Sequence, residues 1–149
     1  MISDKTPPVN SLNNYRISDS DKEDKEITIL IVDDIDLNRY FLENIISEMG
    51  LKYLIAVNGK AALEIVEKNE SIDLVLMDLD MPVMNGFEST WHIKKARPDL
   101  PVIAQTSYSL NEFRKKEIDI EFDAFLQKPI SINKLIDTIK ECIAKTKSR

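Results

Sequence analysis

Five side chains in this sequence could together move a phosphoryl group: the pair Asp33-Asp34, then Asp78, Thr106 and Lys128. They stand at the ends of short apolar runs, residues 27–32, 72–77, 101–106 and 123–127. Were these runs neighbouring strands, three carboxylates, a hydroxyl and an ammonium would converge on one edge of a sheet. Close carboxylates repel: a pair at ~4 Å costs about 4 kcal/mol at an effective dielectric of about 20. A cation or raised pKa values must therefore accompany such a cluster. An open site with oxygen ligands only suits Mg²⁺, which keeps several waters and often bridges to a phosphate. The Asp78 carboxylate can attack phosphorus to give an acyl phosphate. Mg²⁺ and the Lys128 ammonium would neutralise charge on the transferring oxygens, and Thr106 can donate a hydrogen bond to one of them.

The elements that must position these groups follow from the apolar pattern. Ile27-Thr28-Ile29-Leu30-Ile31-Val32 is β-branched and apolar on both faces, as a buried parallel strand requires. Comparable runs fall at 53–57, 72–77, 101–106 and 123–127, with segments of 3.6-residue periodicity between them. The last of these carries the stripe Ile132, Leu135, Ile136, Ile139, Cys142 and Ile143, with Ser131 ahead of it as N-cap. Five strands alternating with five helices imply a parallel sheet covered on both faces. Right-handed crossovers make this a doubly wound α/β fold, in which ligands bind beyond the carboxyl ends of the strands. On a wheel of ~100° per residue, Leu37, Phe41, Leu42, Ile45 and Met49 of the first helix form one stripe expected to face the sheet. Tyr40 falls about 140° from its centre and Ile46 on its flank, so the core is expected to need neither.

A chain of 149 residues favours one domain with one core. Residues 1–26 differ from the rest: Pro7-Pro8, many Ser, Asn and Asp, and the run Asp21-Lys22-Glu23-Asp24-Lys25-Glu26 leave too little apolar surface to offset the entropy of ordering. A tail or linker is expected there, and the domain at 27–146. The net charge of −6 argues against a nucleic-acid surface, and the short basic end Lys145, Lys147, Arg149 reads as a solvated helix terminus. A single cysteine, Cys142, excludes an intrachain disulfide; without a signal peptide, the expected compartment is the cytoplasm. The apolar runs are too short to span a bilayer, so no membrane contact by this chain is expected. The lone histidine, His92, lies in the third helix away from the strand ends and reads as an ordinary surface residue, with Trp91 beside it a packing residue.

Five strings follow one another in order. They are Ile29-Leu30-Ile31-Val32-Asp33-Asp34, then Ala56-Val57-Asn58-Gly59, then Met77-Asp78-Leu79-Asp80-Met81-Pro82-Val83-Met84-Asn85-Gly86, then Thr106-Ser107-Tyr108 and Lys128-Pro129-Ile130. Singly, each is weak: Asp at a strand end is often a turn or cap residue, Lys128 would be a surface lysine, and Pro129 a helix-entry residue. Their conjunction, at this spacing, is specific. From about Glu26 to Lys145 the chain resembles the receiver domain of bacterial response regulators and hybrid histidine kinases.

The resemblance implies a flavodoxin-like (βα)5 sheet of strand order 2-1-3-4-5 and a phosphoacceptor at Asp78. Asp34 would bind Mg²⁺ directly, Asp33 mainly through water, and the backbone carbonyl of Asp80 would be a further ligand. Lys128 would contact the phosphoryl group, Thr106 would be the switch hydroxyl, and Phe125 the switch aromatic. The implied partner is a histidine kinase or histidine-phosphotransfer protein. The first helix leads directly from Asp33-Asp34, so Tyr40 and Ile46 would form part of a docking surface for it. Three positions depart from the family pattern: Ser107 replaces the usual Ala, Asp80 adds an acidic side chain near the site, and Glu121 stands where Gly is common. None removes a catalytic group.

Rival readings fit less well. Asp78-Leu79-Asp80 after an apolar strand is similar to the opening motif of haloacid-dehalogenase-type phosphatases. That motif should stand near the start of its domain and be followed by a late aspartate pair, yet only 71 residues follow Asp78 and no such pair appears. A phosphorylation-independent interaction module would have no need of an intact Asp33, Asp34, Asp78, Thr106 and Lys128. A flavodoxin-like cofactor binder should have a phosphate-cradling Ser/Thr/Gly-rich loop after the first strand, which is missing. The expectation is thus a domain that catalyses only its own phosphorylation and dephosphorylation. About 120 residues form it, leaving no room for a DNA-binding effector, so a stand-alone receiver or a piece of a hybrid kinase or multidomain regulator is expected.

Overall fold

A computed structural model of the chain describes residues 26–109, 111–112 and 120–147. Its elements alternate as β1 (Thr28–Val32), α1 (Asp36–Glu48), β2 (Lys52–Ala56), α2 (Gly59–Lys68), β3 (Ile72–Asp78), α3 (Gly86–Ala96), β4 (Val102–Thr106), β5 (Ala124–Gln127) and α4 (Ile132–Lys147). The five strands form one sheet of order β2-β1-β3-β4-β5, every pairing parallel. This is the doubly wound topology expected, with strand limits moved by one residue at most places. The expected tail, apart from Glu26, and most of the expected helix between β4 and β5 lie outside the described residues.

The helices α2, α3 and α4 each start where a short polar side chain takes an unpaired backbone N–H. Asn58 accepts from the Ala61 N–H at 2.8 Å and Asn85 from the Glu88 N–H at 2.9 Å. Ser131 accepts from the Lys134 N–H at 3.4 Å, as expected of an N-cap. Gly50, at φ 77°, closes α1: the Gly50 and Leu51 N–H groups donate back to the carbonyls of Ser47 and Ile46.

Two apolar clusters sandwich the sheet. Ile29, Ile31, Leu76, Ile103 and Leu126 meet α1 and α4 on one face. Leu30, Val32, Val75, Met77, Val102 and Ala104 meet α2 and α3 on the other. The alternation along β1, β3 and β4 explains why they read as continuous apolar runs, whereas β2, at the edge of the sheet, leaves Tyr53 and Leu54 exposed. Cys142 is buried in the first cluster, as its place on the α4 stripe implied, and burial pushes its thiol pKa up.

The buried face of α1 differs from expectation. Ile46 is 0% exposed and packs in the first cluster, whereas Leu37 is 74% exposed. The stripe is built on Leu42, Ile45, Ile46 and Met49, spaced i, i+3, i+4 and i+7, and Leu37 lies ~130° from its centre. Leu37 also sits in the first turn, beyond the carboxyl end of β1, where no strand lies beneath it. Trp91 packs at the surface, its ring against His92 and under the Lys95 ammonium at 3.6 Å.

Candidate functional site

The carboxyl edge of the sheet collects the acidic groups because β1 and β3 both end there. Asp33 follows β1 directly and is fully buried. Its Oδ1 accepts from the Ile35 N–H at 2.9 Å and from Asn38 Nδ2 at 3.4 Å, so the carboxylate holds the turn that leads into α1, whose N-cap Ile35 has no side-chain cap. Arg39 Nη1 donates to the Asp33 carbonyl at 2.8 Å while its other nitrogen pairs with Asp36. Asn38 and Arg39 thus fix the Asp33 turn; sequence reasoning missed both, and no motif marks them.

Asp78 is the last residue of β3 and is 2% exposed. Its Oδ1 accepts from the Asp80 N–H at 3.2 Å, and the next residue, Leu79, is tied to the Gln105 carbonyl at 3.0 Å. The approach of α3 to this strand end is close enough that a Cβ on Gly86 would lie 2.2 Å from the Asp78 carbonyl oxygen. Only glycine fits there. Before it, Val83 turns through a left-handed backbone at φ 72°, unusual for a β-branched residue.

Lys128 follows β5 and completes the site from the other side. Its N–H donates to the Thr106 carbonyl at 2.7 Å, and its Nζ lies 3.3 Å from Asp78 Oδ1 and 3.6 Å from Asp33 Oδ2. The Lys128–Pro129 peptide bond is cis. Carboxylate oxygens of Asp33, Asp34 and Asp78 lie within 4.8 Å of one another. Asp33 Oδ2 and Asp34 Oδ1 are shut off from water and have no hydrogen-bond partner among the described residues. Burial pushes the Asp78 carboxyl up to about 6; the Asp33 charge adds to the rise, while Lys128 and the Asp80 N–H oppose it.

Thr106 ends β4, one residue beyond the pairing of Asp78 with Gln105, and is fully buried. Its Oγ1 accepts from the Tyr108 N–H at 3.1 Å. Phe125 pairs with Ala104 in the β4–β5 register, so Phe125 and Thr106 point to the same face of the sheet. Phe125 is half-buried against the second cluster. On α1, Tyr40 is 65% exposed and available to a partner. Ile46 is not: packing against the sheet removes it from any docking surface, which corrects the expectation that paired it with Tyr40.

The profile of the response regulator receiver domain matches residues 29–140. The chain belongs to the response regulator receiver family. This receiver is 37% identical over 111 residues to the autoinducer 1 sensor kinase/phosphatase LuxN of Vibrio campbellii, covering 72% of this chain but only 12% of that protein. It is 31% identical over 117 residues to two-component response regulator 24 of Arabidopsis thaliana, covering 78% of this chain and 84% of that one. Among solved structures, it is similar to the receiver domain of the sensor histidine kinase PA1611 from Pseudomonas aeruginosa PAO1, crystallised with a magnesium ion coordinated in the active-site cleft. The TM-score is 0.74 and the identity 25%, over 80% of this chain and 98% of that one. The receiver is thus a two-component signalling domain related to those of hybrid histidine kinases, and its Asp33, Asp34 and Asp78 cluster fits the family's phosphorylation site. No described helix is long and apolar enough to cross a membrane.

Proposed function

We propose that the receiver takes a phosphoryl group from a phosphohistidine onto Asp78. A carboxylate oxygen of Asp78 forms the new O–P bond as the P–N bond to the imidazole breaks, and the imidazole nitrogen keeps the electron pair. One observation carries this reading: a buried carboxylate at a strand end with a lysine ammonium 3.3 Å away, poised to neutralise charge on the transferring oxygens.

Asp33, Asp34 and Asp78, with the Asp80 carbonyl, would hold Mg²⁺. The donor set fits a hard cation, since the carboxylate oxygens lie close together and two buried ones lack a hydrogen-bond partner among the described residues. When bound, Mg²⁺ supplies positive charge against the phosphoryl oxygens. The magnesium in the Pseudomonas receiver supports the same assignment here. Thr106 then exchanges its bond from Tyr108 for one donated to a phosphoryl oxygen, and Phe125, on the same face, moves into the space released. Phe125 lacks a hydroxyl, so packing alone holds that inward state. The domain is taken as residues 27–146, with 1–26 as a tail, and it catalyses only its own phosphorylation and dephosphorylation. A histidine kinase or histidine-phosphotransfer protein is the donor, meeting α1 at Tyr40.

A small-molecule phosphodonor with Mg²⁺ should add one phosphoryl group, seen as a single mass increment. Asp78→Ala should abolish it, and Asp34→Ala should weaken Mg²⁺ binding by removing a charged ligand. Labelling of Asp78→Ala at the wild-type rate would overturn the assignment.

A further inference from the structure

Between α1 and the loop after β5 lies a cavity of about 340 Å³. Phe41, Leu42, Pro129 and Ile130 form its apolar walls, and Asp33, Asn38, Gln105 and Lys128 its polar ones. Gln105 pairs with Leu126 in the β4–β5 register and shares the sheet face of Ile103, so it points into the apolar cluster beneath α1. It is 1% exposed, and its Nε2 has no hydrogen-bond partner among the described residues. A buried amide donor left unpaired costs ~1–3 kcal/mol, and a leucine here would avoid that cost. The glutamine makes sense if something in the cavity accepts from it.

The other polar walls narrow what that is. Asn38 Nδ2 already donates to Asp33 Oδ1 at 3.4 Å, and the Lys128 ammonium is paired with Asp33 and Asp78, which leaves Gln105 Nε2 as the buried donor in the lining without a partner among the described residues. An anionic ligand would meet the charges of Asp33, Asp34 and Asp78, and a cationic one would compete with the Lys128 ammonium 3.6 Å from Asp33. A neutral group that accepts satisfies Gln105 without disturbing either charge. The volume exceeds the ~150 Å³ of an engineered apolar cavity that takes benzene, and lies at the lower end of the ~300–1,000 Å³ of ligand pockets.

We propose that this cavity binds a small neutral alcohol or primary amide, its oxygen accepting from Gln105 Nε2 and its apolar body against Phe41, Leu42, Pro129 and Ile130. The cavity borders the acidic cluster through Asp33 and Lys128, but the Gln105 side chain that makes its polar contact takes no part in phosphoryl transfer.

Titration of the full chain in Mg²⁺ buffer with benzyl alcohol, and in parallel with toluene and benzoate, tests this by ¹H–¹⁵N NMR. Benzyl alcohol should shift the Gln105 carboxamide and the Leu42 and Ile130 amides saturably, and bind about tenfold more tightly than toluene, with benzoate weakest. Gln105→Leu and Gln105→Ala should bring the ratio of alcohol to toluene affinity close to one, the second variant leaving the cavity open. Labelling of Asp78 should persist in both. Equal binding of alcohol and toluene to the wild type, no saturable shift with any probe, or a ratio unchanged in the variants would each overturn the proposal. The wild-type ratio and the carboxamide shift decide the matter even where a variant folds poorly.

Discussion

The two edges of the sheet use aspartate in opposite ways. At the amino edge two aspartates hold the fold together. Asp73 Oδ2 accepts from the Thr28 N–H at 2.9 Å, and Asp123 Oδ2 accepts from the Val102 N–H at 2.8 Å and from Lys94 Nζ at 2.7 Å. Arg97 donates to the carbonyls of Asn69 and Ile72, holding the entry to β3. At the carboxyl edge, Asp33 and Asp34 keep buried oxygens without a hydrogen-bond partner among the described residues, and the Lys128 ammonium pairs with Asp33 and Asp78. Buried polar groups are normally paired, and an unpaired cluster is costly to hold. One edge is therefore built to stabilise strands, and the other keeps charge in store for a ligand.

The sharpest test of that contrast is the pH dependence of stability in the metal-free protein. Asp78 has a folded pKa of about 6, above its ordinary value of 3.8, mainly through burial. Above pH ~6 both folded and unfolded chains carry the charge, and its burial counts fully against folding. As pH falls from about 6 towards 4, the folded chain takes up the proton first and gains stability. Below the unfolded value both are protonated and the penalty is gone. Asp78→Asn, which cannot ionise, should be more stable than wild type by up to ~3 kcal/mol near pH 7, the difference vanishing near pH 4. Urea melts of both proteins across this range measure it. A constant difference would mean that Lys128 already compensates the buried charge.

At the amino edge the sign reverses. Asp123→Ala leaves the buried Val102 N–H without its acceptor and the Lys94 ammonium with only the Leu100 carbonyl, and should lower stability by ~1–3 kcal/mol at neutral pH. Labelling of Asp78, measured under conditions where the variant is folded, should match wild type. A change in labelling rate without a change in stability would show that the two edges are coupled.

Much of this division was legible in the sequence. The strand ends and the acidic residues on them follow from run lengths and residue types, because a parallel sheet buries both faces and leaves its chemistry at the edge. Ser131 was legible as a cap because a polar residue immediately precedes an apolar stripe. The facing of α1 was not. Six apolar residues spread widely round a wheel admit two centres, and only the position of β1's end shows that Leu37 overhangs while Ile46 packs. Gln105 carried no signal either, since a polar residue in an apolar strand looks the same whether it faces a core or a cavity.

The smallest effect should come from the outward face of α1, which belongs to neither edge. Tyr40 is 65% exposed and Leu37 74%, three residues apart on the same side of the helix. Scattered apolar groups in water are common, so exposure alone carries little. What distinguishes this pair is its position: α1 starts three residues after Asp33, so a protein seated on its first turns lies beside the acidic cluster. A phosphohistidine donor bound there would gain contact area from the Tyr40 ring, and a small phosphodonor would gain nothing. Tyr40→Ala should therefore slow transfer from the cognate phosphohistidine protein several-fold, as a loss of about 1 kcal/mol implies. Stability should stay within ~0.5 kcal/mol of wild type, as for an exposed position that supports no packing. Rates with a small-molecule donor should not change. Equal slowing with both donors would place the effect of Tyr40 in the fold or the site, and α1 would lose its claim as the docking face.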